Sequence, residues 1–175
     1  MKLVYRIEDK FYWIHNFLPI TEYKLIHNKV FKDRKKLNYN STKNTWQKQL
    51  IDNLNAPDKV SVKDNDFDFY KQSLLKLPFL KHKHNNIELL IHNMRKNAGI
   101  NWHADSHVSY GVTYYINKRW NPDWGGEFMF KADGNHGYLP VVGNSLVIIK
   151  TPMFHKVNPV LSPSIPRISI QSFIQ

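Results

Sequence analysis

The sequence predicts a mainly β domain with helices near its amino terminus, arranged as a two-sheet jelly roll or a barrel. Three observations predict this fold. Short runs rich in β-branched and aromatic residues recur at close spacing through the second half of the chain. Turn signals such as Asp133-Gly134-Asn135 and Gly143-Asn144 separate these runs. Helix-like spacing of apolar residues is confined to the part of the chain before Asn85-Asn86.

The chain begins with an extended stretch that is followed by a helix. Residues 5–17 are rich in apolar and aromatic side chains, and Glu8-Asp9-Lys10 interrupts them. Thr21 then has the character of a helix N-cap, and Glu22 places an acidic group in the first turn. The apolar spacing predicts that this helix extends towards Phe31.

A polar region separates this helix from the β-rich half. Residues 32–44 are rich in Lys and Asn and predict a loop. Residues 45–54 have helix-like spacing, but the segment is short and its type stays open. Residues 55–58 predict a turn, and Asp66 is a candidate cap for a second helix that stops before Pro78.

The second half is read as a series of short strands. They are predicted at residues 87–94, 102–105, 108–116, 127–130, 145–150 and 167–174. The amino-terminal helices would cover one of the two sheets. We expect one domain over residues 1–175, in which residues 1–85 give helical and loop support and residues 86–175 form the β core.

Composition excludes several classes of protein. The chain lacks cysteine, which excludes disulfides, thiolate zinc sites and cysteine nucleophiles. Its formal net charge of +11 is compatible with a nucleic-acid partner, but only five of its 25 basic residues are arginine and the lysines are scattered, so nucleic acid is not favoured. Neither a signal-peptide run nor a membrane-spanning run occurs, which predicts a soluble, cytoplasmic protein with no membrane partner.

A metal site is the main functional prediction. His103 and Asp105 are two residues apart, so an extended backbone places both side chains on one face. His155 follows a distant apolar strand and can complete a set of two imidazoles and one carboxylate. That set, with open positions, is typical of non-haem Fe(II) oxygenases. Each piece alone also fits a surface histidine or a turn-forming aspartate; the combination favours the metal site.

Arg167 begins the last predicted strand, where Ile168 and Ile170 would face the opposite side. Its guanidinium would point into the roll and pair with a carboxylate, and the Ser169 hydroxyl would be a second donor. Because a buried guanidinium without an anion is costly, the pattern predicts a bound dicarboxylate.

Five stretches occur in an order and spacing that are far more specific than any one of them. They are His103-Ala104-Asp105, residues 114–120, Trp124-Gly125-Gly126-Glu127-Phe128, residues 155–159, and Arg167-Ile168-Ser169-Ile170. Through them the sequence resembles the Fe(II)- and 2-oxoglutarate-dependent dioxygenases, and within that superfamily the prolyl 4-hydroxylases, particularly the hypoxia type. The resemblance covers residues 86–175 well and the rest loosely.

This resemblance implies a fold and a set of roles. The fold would be a double-stranded β-helix, or jelly roll, with helices packed on one sheet. His103, Asp105 and His155 would ligate Fe(II), with 2-oxoglutarate and dioxygen as cosubstrates and ascorbate as a candidate reductant. Arg167 would pair with the distal carboxylate of 2-oxoglutarate, and Tyr115 would donate a hydrogen bond to that same carboxylate.

The substrate expected from the resemblance is a prolyl residue of a protein or peptide, with succinate and carbon dioxide as coproducts. Residues 40–68 lie where relatives carry a substrate lid, although an ordinary variable loop fits them equally well. Two alternatives stay open. The same chemistry could act on a free amino acid, a small metabolite or a nucleobase, and a β-roll could bind a metal or ligand without catalysis.

Overall fold

The computed structural model describes residues 1–33, 46–62, 67–80, 86–132, 134–162 and 164–175. Within them the chain forms eleven strands and two α-helices. The strands are β1 Lys2–Ile7, β2 Phe11–His15, β3 Asp58–Ser61, β4 Ile87–Met94, β5 Ile100–His103, β6 Tyr110–Tyr115, β7 Phe128–Ala132, β8 Asn135–Leu139, β9 Ser145–Lys150, β10 His155–Val157 and β11 Arg167–Ile174. The helices are α1 Ile20–Asp33 and α2 Asp68–Leu75, with short 3-10 helices at Lys48–Leu50 and Pro122–Trp124.

The strands form two antiparallel sheets. The larger sheet has the order β1-β2-β9-β6-β11-β4-β3, and the smaller has the order β5-β10-β7-β8. Neighbours that are distant in the chain, such as β11 between β6 and β4, are typical of a jelly roll rather than of a simple meander. The predicted jelly-roll architecture is therefore confirmed.

Both helices pack on the outer face of the larger sheet, as predicted. Ile26 and Val30 of α1 and Leu74 of α2 join one buried cluster with Ile168 and Ile170 of β11. These side chains are at most 1% exposed, so the cluster excludes water from that face. The opposite face of the larger sheet faces the smaller sheet.

A second, smaller core fills the space between the sheets. Phe11 and Phe130 stack there with ring centroids 4.3 Å apart, next to Tyr115 and Val147. Strand β11 divides its side chains between the two faces of the larger sheet, because successive residues of a strand point to opposite faces. Ile168 and Ile170 face the helices, whereas Arg167 and Ser169 face inward, as the alternation predicts.

Several boundaries differ from the sequence prediction. Helix α1 begins at Ile20, so Thr21 lies inside its first turn rather than at its N-cap. Strand β5 ends at His103, and Asp105 follows it in a loop. The predicted turn at residues 55–58 ends in β3, and the short β8 and β10 are additional strands.

Some predicted features fall on residues outside the described ranges. These are most of the loop at residues 32–44, the candidate cap Asp66, and residues 40–45 and 63–66 of the predicted lid. Neither of the described helices is long and apolar enough to cross a membrane.

Candidate active site

Two histidines from distant parts of the chain meet on the smaller sheet. Strands β5 and β10 are antiparallel neighbours, and their register places His103 directly opposite His155. The two imidazole rings lie 4.2 Å apart between centroids and are tilted by 52°. Strand pairing, rather than the local sequence, therefore brings the two rings together.

Asp105 completes the cluster from the loop that follows β5. Its Oδ1 lies 3.8 Å from Nε2 of His103, and its Oδ2 lies 3.8 Å from Nε2 of His155. One ligand atom from each of the three residues lies within 4.8 Å of the others. Gly111 of β6 leaves room for this carboxylate, since a Cβ there would be 3.3 Å from Oδ2 of Asp105.

Hydrogen bonds to the backbone fix the orientation of both imidazoles. Nδ1 of His103 lies 2.8 Å from the carbonyl oxygen of Asn101, and Nδ1 of His155 lies 2.9 Å from that of Met153. Because a carbonyl oxygen only accepts, each Nδ1 must carry the proton, which leaves the lone pair of each Nε2 directed at the cluster. This arrangement is the usual outer support of a metal-bound histidine.

Burial keeps His155 in the neutral form. Burial lowers the pKa of His155 below its ordinary value, and the neighbouring His103 lowers it further. A neutral imidazole is the form that binds a metal. Two imidazole nitrogens and one carboxylate fit Fe(II), with ligand positions left for other molecules.

Arg167 lies fully buried on the inner face of the larger sheet. Its recorded contacts are with neutral atoms: Nη1 donates to Oγ of Ser169 at 3.2 Å and to Sδ of Met94 at 3.3 Å, and Nη2 donates to the Tyr115 hydroxyl at 3.3 Å. Its Nε is buried and has no hydrogen-bond partner among the described residues. A guanidinium desolvated in this way calls for an anion.

The two hydroxyls beside Arg167 can help to hold that anion. The Tyr115 hydroxyl and Ser169 Oγ both accept from the guanidinium, so each keeps its own proton to donate. Burial raises the pKa of Tyr115, which keeps its hydroxyl protonated. The predicted trio of Arg167, Tyr115 and Ser169 is thus a compact group of donors.

A cavity of about 310 Å³ opens between the sheets, and all three residues of the His-Asp-His cluster line it. Arg167, Tyr115 and Ser169 are not among its lining residues; they lie behind its wall. The sequence reasoning missed several residues here. His92 and Gln171 line the cavity, and Met94 contacts Arg167. Inward alternation along β4 could have indicated His92 and Met94.

Gly126 packs directly against the side chain of Arg167. Gly126 has φ +75, and a Cβ added there would lie 2.9 Å from Cδ of Arg167. Gly125, at φ +66, approaches the carbonyl oxygen of Pro159 closely. At both glycines the missing side chain allows another part of the chain to approach closely.

Replacing Gly126 with alanine should both destabilise the fold and move Arg167. An alanine at positive φ costs about 1 kcal/mol or somewhat more, and the contact with Arg167 adds to that cost. Gly134→Ala is the matched control, because Gly134 has φ +79 and open space around it. We expect both variants to melt earlier but only Gly126→Ala to bind 2-oxoglutarate more weakly by calorimetry. Equal binding in the two variants would contradict this account.

A known protein family matches the part of the chain that contains the His-Asp-His cluster. The family described as the 2OG-Fe(II) oxygenase superfamily matches residues 89–175. All six predicted site residues lie inside this range: His103, Asp105, Tyr115, His155, Arg167 and Ser169. No curated protein sequence matches the chain.

Solved structures with a similar fold cover nearly the whole chain. A prolyl-4-hydroxylase of Pseudomonas putida is 17% identical, with a TM-score of 0.76 over 95% of this chain and 92% of its own. A Trichoplax adhaerens prolyl hydroxylase, solved with a peptide fragment of the hypoxia inducible factor oxygen degradation domain, is 13% identical, with a TM-score of 0.77 over 95% of this chain and 84% of its own. A viral collagen prolyl hydroxylase from Paramecium Bursaria Chlorella virus-1, solved with 2OG, is 13% identical, with a TM-score of 0.66 over 94% and 95%. At such identities the likeness shows the fold.

Proposed function

We propose that this chain, whose residues 89–175 belong to the 2OG-Fe(II) oxygenase superfamily, hydroxylates a prolyl residue of a protein or peptide. It is a 2-oxoglutarate-dependent dioxygenase that uses Fe(II), 2-oxoglutarate and dioxygen. The proposal adds the substrate and the coproducts succinate and carbon dioxide. One observation carries the proposal: the cluster of His103, Asp105 and His155 occurs together with the buried Arg167 guanidinium, which contacts neutral atoms. Both occur in a fold shared with prolyl hydroxylases.

Fe(II) would be held by His103, Asp105 and His155. Bound there with 2-oxoglutarate, it supplies the activation of dioxygen for insertion of oxygen into a C–H bond. The chain contributes orientation: the carbonyl groups of Asn101 and Met153 hold both rings, so the ligands need little rearrangement when the metal enters.

2-Oxoglutarate would be oriented by the donors on the larger sheet. The Arg167 guanidinium would pair with its distal carboxylate, and the Tyr115 and Ser169 hydroxyls would donate to the same group. Phe128 and Val157, which line the cavity, supply apolar walls that keep water away from the reacting groups.

A peptide substrate is supported by the exposed residues among those that line the cavity. They include Gln47 and His107, and the aromatic side chains of Trp46 and Phe173 line the same cavity. Aromatic faces suit packing against a prolyl ring. The fold likeness to the Pseudomonas putida prolyl-4-hydroxylase extends through 95% of the chain, so it includes the amino-terminal support as well as the roll.

Mass spectrometry of peptides tests the substrate class. Proline-containing peptides incubated with the protein, Fe(II), 2-oxoglutarate and air should gain one oxygen on proline, with one succinate formed per oxygen inserted. Matched peptides with alanine in place of each proline should stay unchanged, as should all peptides with the His103→Ala variant. Succinate formation that depends on a free amino acid, a small metabolite or a nucleobase, with every peptide unchanged, would overturn the prolyl assignment but leave the enzyme class intact.

A further inference from the structure

His92 of β4 is a buried histidine without a hydrogen-bond partner among the described residues. It is only 4% exposed, and neither its Nδ1 nor its Nε2 makes a hydrogen bond within that part of the chain. Buried polar groups are normally paired, because an unpaired donor or acceptor loses its water without compensation. An imidazole left unpaired beside a cavity therefore points to a ligand.

The strand register places His92 in a row of polar side chains. Lys59 of β3 lies opposite His92, His92 lies opposite Ser169 of β11, and Ser169 lies opposite Tyr115 of β6. Residues directly opposite on neighbouring strands face the same way, with Cβ atoms about 5 Å apart. Ser169 and Tyr115 both contact Arg167, so the imidazole lies one strand away from one hydroxyl partner of the guanidinium and two strands away from the other.

His92 also lies at the boundary between the cavity and the buried guanidinium. It lines the same cavity as His103, Asp105 and His155, whereas Arg167 does not. A dicarboxylate that reaches from the metal ligands to Arg167 would therefore lie near the His92 ring.

The surroundings of His92 suit an anion. Burial, together with the charges of Lys59 and Arg167, lowers the pKa of His92 to about 3, so the ring is neutral near pH 7. A neutral imidazole has one N–H to donate. The charged groups that act on it are both cationic, which leaves a carboxylate as the fitting acceptor.

We propose that His92 is a positioning residue for 2-oxoglutarate, donating a ring N–H to the carboxylate that Arg167 holds. This inference rests on the proposed function, because it takes 2-oxoglutarate as the occupant of the cavity. His92 adds a donor from β4 to the group of Arg167, Tyr115 and Ser169 on β6 and β11. The carboxylate would then receive hydrogen bonds from strands on both sides of β11.

Calorimetric titration of 2-oxoglutarate into the Fe(II)-loaded protein without oxygen tests the inference. His92→Phe keeps a flat ring and removes both nitrogens, and we expect its Kd to rise at least about 10-fold, the loss typical of a hydrogen bond to a charged group. His92→Gln keeps a donor and should stay within about 3-fold of wild type. His15→Phe is the matched control, because His15 of β2 also has a buried Nε2 without a hydrogen-bond partner among the described residues, yet it is not one of the described residues that line the cavity. The 2-oxoglutarate Kd of this variant should not change.

Fe(II) affinity, measured on the same samples, reports whether each variant keeps its fold. A weaker 2-oxoglutarate complex in His92→Phe, with Fe(II) affinity equal to wild type, supports the assignment. Equal Kd values for His92→Phe and wild type overturn it, and so does a loss of Fe(II) binding in parallel with 2-oxoglutarate binding. A wild-type protein that fails to bind 2-oxoglutarate would instead refute the proposed function itself.

Discussion

Asp105→Ala is expected to lower Fe(II) affinity more than about 100-fold and to abolish succinate formation, because loss of a partner that merely supports a ligand already costs about 10–100-fold. The carboxylate is the anionic member of the cluster and lies 3.8 Å from Nε2 of both histidines. Without it, two neutral imidazoles would hold the metal weakly and would not balance its charge. Calorimetric titration with Fe(II) under argon, followed by a succinate assay, measures both effects.

A surface aspartate provides the control for this experiment. Asp9 lies at the turn between β1 and β2, where its carboxylate pairs with Arg6 in an exposed position. Asp9→Ala should bind Fe(II) and form succinate as the wild type does. Full activity in Asp105→Ala would show that the metal lies elsewhere or that the cluster has a different role.

Arg167→Met should weaken 2-oxoglutarate binding by about 100-fold or more, while leaving the ligand-free protein at least as stable as the wild type. The first effect follows because removing one partner of a buried charge pair costs about 3–5 kcal/mol. The second follows because the ligand-free protein buries this guanidinium against neutral atoms only, within the described residues. Methionine fills a similar apolar space without the desolvation cost.

The two measurements are informative together, because Arg167→Met is expected to weaken 2-oxoglutarate binding without lowering the stability of the ligand-free protein. Calorimetry gives the 2-oxoglutarate Kd, and thermal unfolding without ligand gives the stability. Arg6→Met, at the exposed hairpin, is the matched variant and should change neither quantity appreciably. If Arg167→Met unfolds well below the wild type and binds 2-oxoglutarate normally, the guanidinium has a structural role instead.

Parts of the site that depend on local alternation were predictable from the sequence. The order Arg167-Ile168-Ser169-Ile170 correctly separates the helix-facing residues from the cavity-facing residues, because side chains alternate along any strand. The last strand and the apolar strand β9 were predicted at their observed limits, because turn residues precede both apolar runs. The roles of the six site residues stay predictions that the variants above test.

Other parts depend on pairing between distant strands, which local patterns do not record. The register that sets His103 opposite His155 needs β5 and β10 to be neighbours, and β10 has only three residues. Asp105 reaches the cluster from a loop after β5, not from the extended strand that the two-residue spacing predicts. Alternation along β4 indicates that His92 faces inward, but only the pairing of β4 with β3 and β11 shows that Lys59 and Ser169 flank it.

Anomalous diffraction at the iron edge tests the central claim most directly, on crystals grown without oxygen in the presence of Fe(II) and 2-oxoglutarate. The account predicts one iron peak at about 2.0–2.2 Å from Nε2 of His103, Nε2 of His155 and a carboxylate oxygen of Asp105, the usual range for such ligands. It also predicts a 2-oxoglutarate carboxylate in contact with the Arg167 guanidinium. Iron bound away from these three side chains, or a cosubstrate carboxylate that leaves Arg167 without an anion, would contradict it.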